Sequence, residues 1–179
     1  MFFFRNTIAL IRLFINNGGG LKFYMNTLML NQIVPDFQLP ATSSKTFQLS
    51  DFRSKYVILY FYPKDSTPGC TTQGIQFRDA YSELQKLDTE IFGISRDTLK
   101  SHENFKSKFN FPFELLADTE ENACSLFSVI KLKHMYGKQV RGIERSTFII
   151  DKNGSLIKEW RGVKVEGHIV EVLNFIKSL

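Results

Sequence analysis

A chain of 179 residues is long enough for one domain with a sizeable core but short for two full domains. Apolar residues make up 43% of it and charged residues 23%, proportions of an ordinary globular protein rather than a disordered or fibrous one. The net charge of +5 comes largely from the first 35 residues, which contain no acid, and no Lys/Arg cluster follows, so a nucleic-acid partner is not favoured.

The first 24 residues form an apolar, basic segment that ends in an Asn/Gly-rich break. The apolar run is interrupted by Arg12 and is too short to cross a membrane, and it lacks the small-residue cleavage site of a signal peptide. We interpret residues 1–24 as an extension outside the core, with an organelle transit peptide as the alternative. Residues 25–179 are then expected to form one domain.

The first predicted elements are strands. Residues 37–39 and 47–49 are predicted to pair as a small leading hairpin. Residues 56–62 form a continuous apolar, β-prone run, which is typical of a strand buried on both faces of a parallel sheet, and Pro63 ends it. After Cys70, apolar residues recur at spacings of three and four and predict a helix.

The central part of the chain continues the alternation of strands and helices. Residues 90–95 are predicted to form a second strand, which completes a right-handed parallel βαβ unit. A helix is predicted at residues 99–109 and a short strand at 113–116. Asp118 is expected to cap a further helix, with Glu121 completing a capping box.

The last elements are a hairpin and a helix. Strands at residues 146–151 and 156–160 flank the dipeptide Asn153-Gly154, which is a strong hairpin signal. An apolar stripe from Ile169 to Ile176 predicts the final helix, and His134 is expected to lie in an exposed loop. The order predicts an α/β protein with a thioredoxin-like fold, in which helices flank a central mixed β-sheet.

The segment that points to chemistry joins the buried strand to the following helix and contains Cys70. A cysteine in the first helical turn meets unbonded backbone N–H groups and the positive end of the helix dipole, which favour a thiolate. A free cysteine with a pKa of ~8.5 is only a few per cent ionised at pH 7. A helix end supplies at most ~2 kcal/mol, so a nearby cation is expected as well.

Arg145 is the predicted cation, because it directly precedes a strand that we expect to enter the sheet near the Cys70 loop. Peroxide reduction by a thiolate needs donors that orient the peroxide and stabilise the departing oxygen. Arg145 and the Thr67 hydroxyl can supply them, while Pro63 and Pro68 stiffen the loop. The alternatives are a surface ion pair of Arg145 with Glu144 or Asp151 and a helix cap at Thr67.

The residues around Cys70 resemble a known family. Pro63, Thr67 and Cys70 match the Pro-x-x-x-Thr-x-x-Cys motif of peroxiredoxins, and residues 61–72 read FYPKDSTPGCTT. This string is similar to the bacterioferritin comigratory protein, or PrxQ, branch. The likeness continues through residues 95–97, 135–138 and 142–151 and spans the chain from residue 35 onward.

The resemblance implies a thiol peroxidase with a peroxiredoxin-type N-terminal extension to the fold. Cys70 would be the peroxidatic cysteine that becomes a sulfenic acid, Thr67 and Arg145 would position the peroxide, and Pro63 would shield the sulfenate. Thioredoxin or another thiol would be the electron donor. No cofactor or metal is implied, because sulfur carries the redox chemistry.

The sequence departs from the two-cysteine patterns of this family. Ile75 and Lys106 occupy the two positions where relatives carry a resolving cysteine, and Cys124 is the only other thiol. Cys124 is either a resolving thiol or, as we favour, a small apolar residue on a helix face. The use of only two cysteines is typical of a reducing compartment, so we expect a cytoplasmic protein, as a monomer or homodimer.

Two other functions are compatible with the fold. A thioredoxin-like dithiol oxidoreductase needs a CxxC pair, but Thr67 stands where the first cysteine would be. A redox-sensing or chaperone-like binding module would use the same fold without turnover. Consumption of peroxide by the purified protein separates both from a peroxidase.

Overall fold

The structure is a computed structural model that describes residues 28–135 and 137–179, so the predicted extension at residues 1–24 lies outside the described residues. The strands are β1 (Gln38–Ala41), β2 (Lys45–Gln48), β3 (Tyr56–Phe61), β4 (Thr89–Ser95), β5 (Glu114–Ala117), β6 (Ile130–Met135), β7 (Lys138–Ile143), β8 (Ser146–Ile150) and β9 (Leu156–Trp160). The α-helices are α1 (Pro68–Gln85), α2 (Leu99–Phe109), α3 (Asn122–Leu126) and α4 (His168–Lys177). Within the described part of the chain, no helix combines the length and apolarity needed to span a bilayer.

Seven strands form one sheet in the order β2-β1-β5-β4-β3-β8-β9. β3, β4 and β5 run parallel to one another, with α1 and α2 as the connections, whereas β8 pairs antiparallel with β3. The predicted βαβ unit and the predicted mixed sheet flanked by helices are therefore confirmed. β3 lies inside this sheet, so its carboxyl end is surrounded by neighbouring strands and their loops.

The central strand β3 divides the interior into two cores. Val57, Leu59 and Phe61 point into one cluster, which the leading hairpin and α3 help to cover. Ile58 and Tyr60 point into the other, which contains residues of α1, α2 and α4. This alternation follows from the two-residue period of a strand, and it explains why the run is apolar at every position.

Both predicted hairpins are present. β1 and β2 pair antiparallel, and so do β8 and β9. Gly154 has a φ of 87° in the turn between β8 and β9, a conformation that glycine adopts readily. Helix α2 has the predicted bounds, and α4 follows the predicted apolar stripe.

The hairpin of β6 and β7 was not predicted from the sequence. It forms a separate two-stranded sheet, and Leu132 within it is 66% exposed. Since this hairpin lies outside the main sheet, its apolar residues did not give the pattern of a buried face. His134 accordingly belongs to strand β6 rather than to the loop that we expected.

The predicted capping box at α3 is wrong. Glu121 is the N-cap residue, but it has a left-handed φ of 58°, and its carboxylate binds Arg96 and Arg141 instead of the helix backbone. Asp118 Oδ2 accepts a hydrogen bond from the Cys124 N–H at 2.7 Å, so one carboxylate does bind a free N–H of this helix. Arg96 and Arg141 compete with the helix backbone for the Glu121 carboxylate, and the spacing of residues along the sequence did not reveal these distant partners.

Candidate active site

Cys70 lies at the junction between β3 and α1. It is the third residue of the helix, after Thr67 at the N-cap position and Pro68 at the start, and it is only 2% exposed. Proline is well suited to the first helical position because its ring presets the helical φ and it lacks an N–H that would go unbonded. The sulfur therefore sits where unbonded helix N–H groups and the helix dipole favour negative charge.

Arg145 approaches Cys70 from the neighbouring strand. Ser146, at the start of β8, pairs with Phe61, at the end of β3, so the residue before β8 lies beside the Cys70 loop. The Arg145 guanidinium donates from Nη2 to the Cys70 sulfur at 3.3 Å. The predicted entry of this strand near the loop is confirmed, and the guanidinium faces Cys70 rather than forming the alternative surface ion pair.

Gln73 is a site residue that the sequence analysis missed. Its Oε1 accepts from Arg145 Nη1 at 2.6 Å, and the side chain is only 1% exposed. Three residues after Cys70 on a helix, it shares the face of the thiol, and a polar residue on a buried face was the signal available. Gly69 leaves space for the Arg145 guanidinium, because a Cβ at this position would lie only 3.3 Å from Nη2, closer than an ordinary contact.

The two loop residues predicted from the motif have different surroundings. The Thr67 hydroxyl donates to the Lys64 carbonyl oxygen at 2.9 Å and makes no cap hydrogen bond with α1, so its oxygen keeps lone pairs that can accept. Pro63 is exposed just past the end of β3. It forms part of the wall of a polar cleft of about 360 Å³ that also includes Arg96 and Glu121.

Cys124 is separated from Cys70 by the sheet. It is fully buried in α3 and belongs to the core cluster of Phe61 and Phe127, whereas Cys70 belongs to the cluster on the opposite face. Burial, reinforced by the Asp118 carboxylate, raises the pKa of the Cys124 thiol far above its ordinary value. The structure therefore does not bring the two thiols together, and it keeps Cys124 protonated.

A buried histidine lies in the same core as Cys70. His168 Nε2 is 2.8 Å from the Thr147 hydroxyl oxygen on β8, and the side chain is only 4% exposed. Burial, opposed by the Glu171 carboxylate and reinforced by the Arg145 guanidinium, lowers the pKa of His168 to about 4. The imidazole is therefore neutral at physiological pH, and Arg145 is the cation that faces the Cys70 sulfur.

Comparison with known proteins identifies the family of the chain. The AhpC/TSA family pattern matches residues 30–159. Peroxiredoxin Bcp of Bacillus subtilis is 49% identical over 153 residues, which cover 86% of this chain and 98% of that protein. Peroxiredoxin Bcp of Xanthomonas campestris is 46% identical over 156 residues, with 86% and 98% coverage.

Solved structures with similar folds belong to the same group. The bacterioferritin comigratory protein of Xanthomonas campestris has a TM-score of 0.79 and 44% identity, and the match covers 84% of this chain and 96% of that one. Xylella fastidiosa PrxQ has a TM-score of 0.81 and 38% identity, with 86% and 98% coverage. The chain therefore belongs to the AhpC/TSA family, in the Bcp/PrxQ branch of the peroxiredoxins, and is a thiol peroxidase.

Proposed function

We propose that Cys70 is the nucleophile of this peroxidase. The observation that carries the proposal is the contact of the Arg145 guanidinium with the Cys70 sulfur, 3.3 Å apart, at the first turn of α1. The thiolate attacks one oxygen of the hydroperoxide, so that an S–O bond forms as the O–O bond breaks. The departing alkoxide or hydroxide takes up a proton, and Cys70 is left as a sulfenic acid.

The neighbouring side chains have distinct parts in this step. Arg145 donates to the thiolate and to the oxygen on which negative charge develops, and Gln73 holds the guanidinium in place. Thr67 accepts from the peroxide O–H, because its own hydrogen is directed at the Lys64 carbonyl. Pro63 stiffens the start of the loop and, as the resemblance to peroxiredoxins implies, shields the sulfenate.

The substrates we propose are hydrogen peroxide and organic hydroperoxides. The similar Xanthomonas campestris protein was described for its reduction of alkyl peroxides, which supports the organic class. A redox-sensing or chaperone-like module on the same fold is the less favoured function, since the relatives named above are peroxiredoxins. Turnover distinguishes the two, because a sensor consumes no more than stoichiometric peroxide.

The Cys70→Ser variant tests the nucleophile. We expect it to lose peroxide consumption completely while keeping the far-UV circular dichroism and the thermal midpoint close to wild type, because serine replaces the buried thiol with a hydroxyl of similar size. Steady-state consumption of hydrogen peroxide with dithiothreitol as reductant is the measurement. More than trace activity in the pure variant would refute the assignment of Cys70.

The sulfenic acid is then reduced by a thiol from outside the chain. Three observations support this. Cys124 is buried on the face of the sheet opposite to Cys70. At the two positions where a resolving cysteine was expected, Ile75 carries no thiol and Lys106 is paired with Glu114. A disulfide requires Cα atoms within about 7 Å, so bonding to Cys124 would need large rearrangement. We expect Cys124→Ser to keep wild-type turnover with dithiothreitol, and loss of that turnover would contradict the proposal.

The reductant and the setting follow from the same chemistry. We infer that thioredoxin or a small thiol supplies the electrons and that the enzyme works in a reducing compartment such as the cytoplasm, as a monomer or homodimer. The two cysteines are both free thiols, which suits such a compartment. Comparison of turnover with thioredoxin and with small thiols identifies the preferred donor.

A further inference from the structure

A buried polar cluster lies beneath the loop that leads to Cys70. We call it the Asp65 cluster, after the carboxylate at its centre. Asp65 Oδ1 accepts from the Tyr62 hydroxyl at 2.7 Å, and Oδ2 accepts from the Ser101 hydroxyl at 2.7 Å. His102 Nδ1 lies 2.9 Å from Asp65 Oδ2, so this carboxylate contacts Tyr62, directly after β3, and two residues of α2. None of the roles assigned above uses these groups.

His102 is packed between two acceptors in this cluster. Both of its ring nitrogens face acceptors, because Nδ1 lies beside the Asp65 carboxylate and Nε2 is 3.2 Å from the Leu116 carbonyl oxygen. The Tyr62 hydroxyl lies 3.3 Å from the same Nδ1, so the imidazole is surrounded by polar partners on both sides. The His102 and Asp65 side chains are 0% and 4% exposed, so their contact is removed from water.

Asp65 is the anion of this cluster. Burial disfavours its charged form, but hydrogen bonds from His102, Ser101 and Tyr62 outweigh it and hold the pKa of Asp65 below its ordinary value. Removing a hydrogen-bond donor from a buried carboxylate leaves its charge partly unsatisfied, which is unfavourable. The pair is therefore expected to form and to fix its two partners in one relative position.

The pair acts on the backbone of the loop. Asp65 lies in the loop between β3 and α1, two residues before Thr67, and its own N–H donates to Asp97 Oδ2 at 2.9 Å. The next residue, Ser66, has a left-handed φ of 59°, which a residue with a side chain adopts only when its surroundings hold it there. The loop is thus held on its side-chain side by α2 and on its backbone side by Asp97.

We propose that His102 and Asp65 are positioning residues for peroxide reduction. Their contact sets the loop so that Thr67 and Cys70 face Arg145 in the geometry needed for attack on the O–O bond. The proposal rests on the assignment of Cys70 as the nucleophile. It adds a role for His102 of α2, which touches neither the substrate nor the sulfur. The orientation of the peroxide depends on this residue, whereas the availability of the thiolate does not.

The same helix provides a matched control. Lys106 of α2 pairs with Glu114 of β5, a contact that also ties the helix to the sheet but does not involve the loop. Lys106→Met removes that contact and keeps most of the side-chain volume. Any effect of a looser α2 in general should therefore appear in both Lys106→Met and the His102 variants.

The experiment compares two reactions of Cys70 at one pH. One is oxidation by hydrogen peroxide, which needs an oriented substrate, and the other is alkylation by iodoacetamide, which reports the thiolate alone. We expect His102→Leu to slow oxidation by roughly ten- to a hundredfold, the effect of losing a charged hydrogen bond, with alkylation changed less than about threefold. His102→Gln, which keeps a donor toward Asp65, should recover part of the lost rate, and Lys106→Met should leave both rates near wild type.

The remaining outcomes are also decisive. Ser101→Ala removes one neutral donor to Asp65 without removing a charge, so it should slow oxidation by about two- to tenfold even if His102→Leu does not fold. Unchanged oxidation in His102→Gln and Ser101→Ala, or an equal fall in oxidation and alkylation, would overturn the proposal. If wild-type Cys70 itself resists one equivalent of peroxide, the assignment of the nucleophile fails instead.

Discussion

At the scale of single residues, the proposed chemistry depends on stabilising negative charge at the Cys70 sulfur. Making an ordinary cysteine mostly ionised at pH 7 requires about 3 kcal/mol of differential stabilisation. A helix end supplies at most about 2 kcal/mol, and a hydrogen bond from a charged donor supplies about 1.5–3 kcal/mol. The helix end alone is therefore not enough, and the Arg145 guanidinium, 3.3 Å from the Cys70 sulfur, is the additional donor at the start of α1.

Arg145→Ala should accordingly affect both the ionisation and the peroxide reaction of Cys70. We expect peroxide reduction to slow by roughly ten- to a hundredfold, since a charged hydrogen bond to the sulfur is lost. The rate of iodoacetamide alkylation as a function of pH should shift toward higher pH in the variant. An alkylation profile that overlays the wild type would mean that another group stabilises the thiolate.

Some of these residues were predictable from the sequence and others were not. The strand–loop–helix context pointed to Cys70. The strand that begins at Ser146 pointed to Arg145, which directly precedes it. Both predictions depend on where strands begin and end. Gln73 escaped notice because its importance comes from a partner 72 residues away. The Asp65 cluster was missed for the same reason, since it joins residues of a loop, a strand end and a helix that only the fold brings together.

At the scale of elements, helix α2 is fixed to the sheet at both ends. Its first turn holds the Asp65 cluster, and its last turn places Lys106 against Glu114. The Glu114 carboxylate also accepts from the Thr42 hydroxyl at 2.5 Å and from Lys45 Nζ at 2.8 Å. Lys106 thus has a structural role that joins α2, β5 and the leading hairpin.

This contact predicts a specific dependence of stability on pH. Partial burial disfavours the Glu114 anion, but hydrogen bonds from Lys106, Lys45 and Thr42 outweigh it and lower the pKa of Glu114 to about 2. Because the folded pKa lies below the unfolded value, the anion stabilises the fold above about pH 4.5. That contribution disappears as the pH falls to about 2.

Glu114→Gln tests this dependence. We expect the variant to lose about 2 kcal/mol of unfolding free energy at pH 7, a value reduced from the full pKa shift because Lys45 is largely exposed. The difference from wild type should shrink as the pH is lowered toward 2, where the wild-type carboxyl also becomes neutral. Urea unfolding at several pH values measures this, and a difference that stays constant down to pH 2 would contradict the account.

At the scale of the whole molecule, the sheet separates two thiols with different fates. Cys70 lies among residues of α1 and α4, and Cys124 lies among those of the leading hairpin and α3. The period-two alternation of β3 could be predicted from the sequence, and with it a sheet buried on both faces. Which face each cysteine would occupy could not, because that depends on how α3 and the unpredicted β6–β7 hairpin are placed.

The boundary of the functional domain is a further expectation at this scale. We expect a protein that begins at Met25 to fold and to reduce peroxide at the full-length rate, since residues 1–24 contain none of the site residues. The matched comparison is the full-length chain under the same conditions. A truncated protein that aggregates, or that reacts more than a few times more slowly, would show that the extension is part of the working enzyme.

The most direct test of the central claim follows the oxidised sulfur itself. Wild-type protein, Cys70→Ser and Cys124→Ser are each treated with one equivalent of hydrogen peroxide in the presence of dimedone, which traps sulfenic acids, and are digested without reduction for mass spectrometry. The account predicts a dimedone adduct on Cys70 in the wild type and in Cys124→Ser, none in Cys70→Ser, and no dominant Cys70–Cys124 peptide. An adduct on Cys124, or a dominant peptide linking the two cysteines, would contradict it.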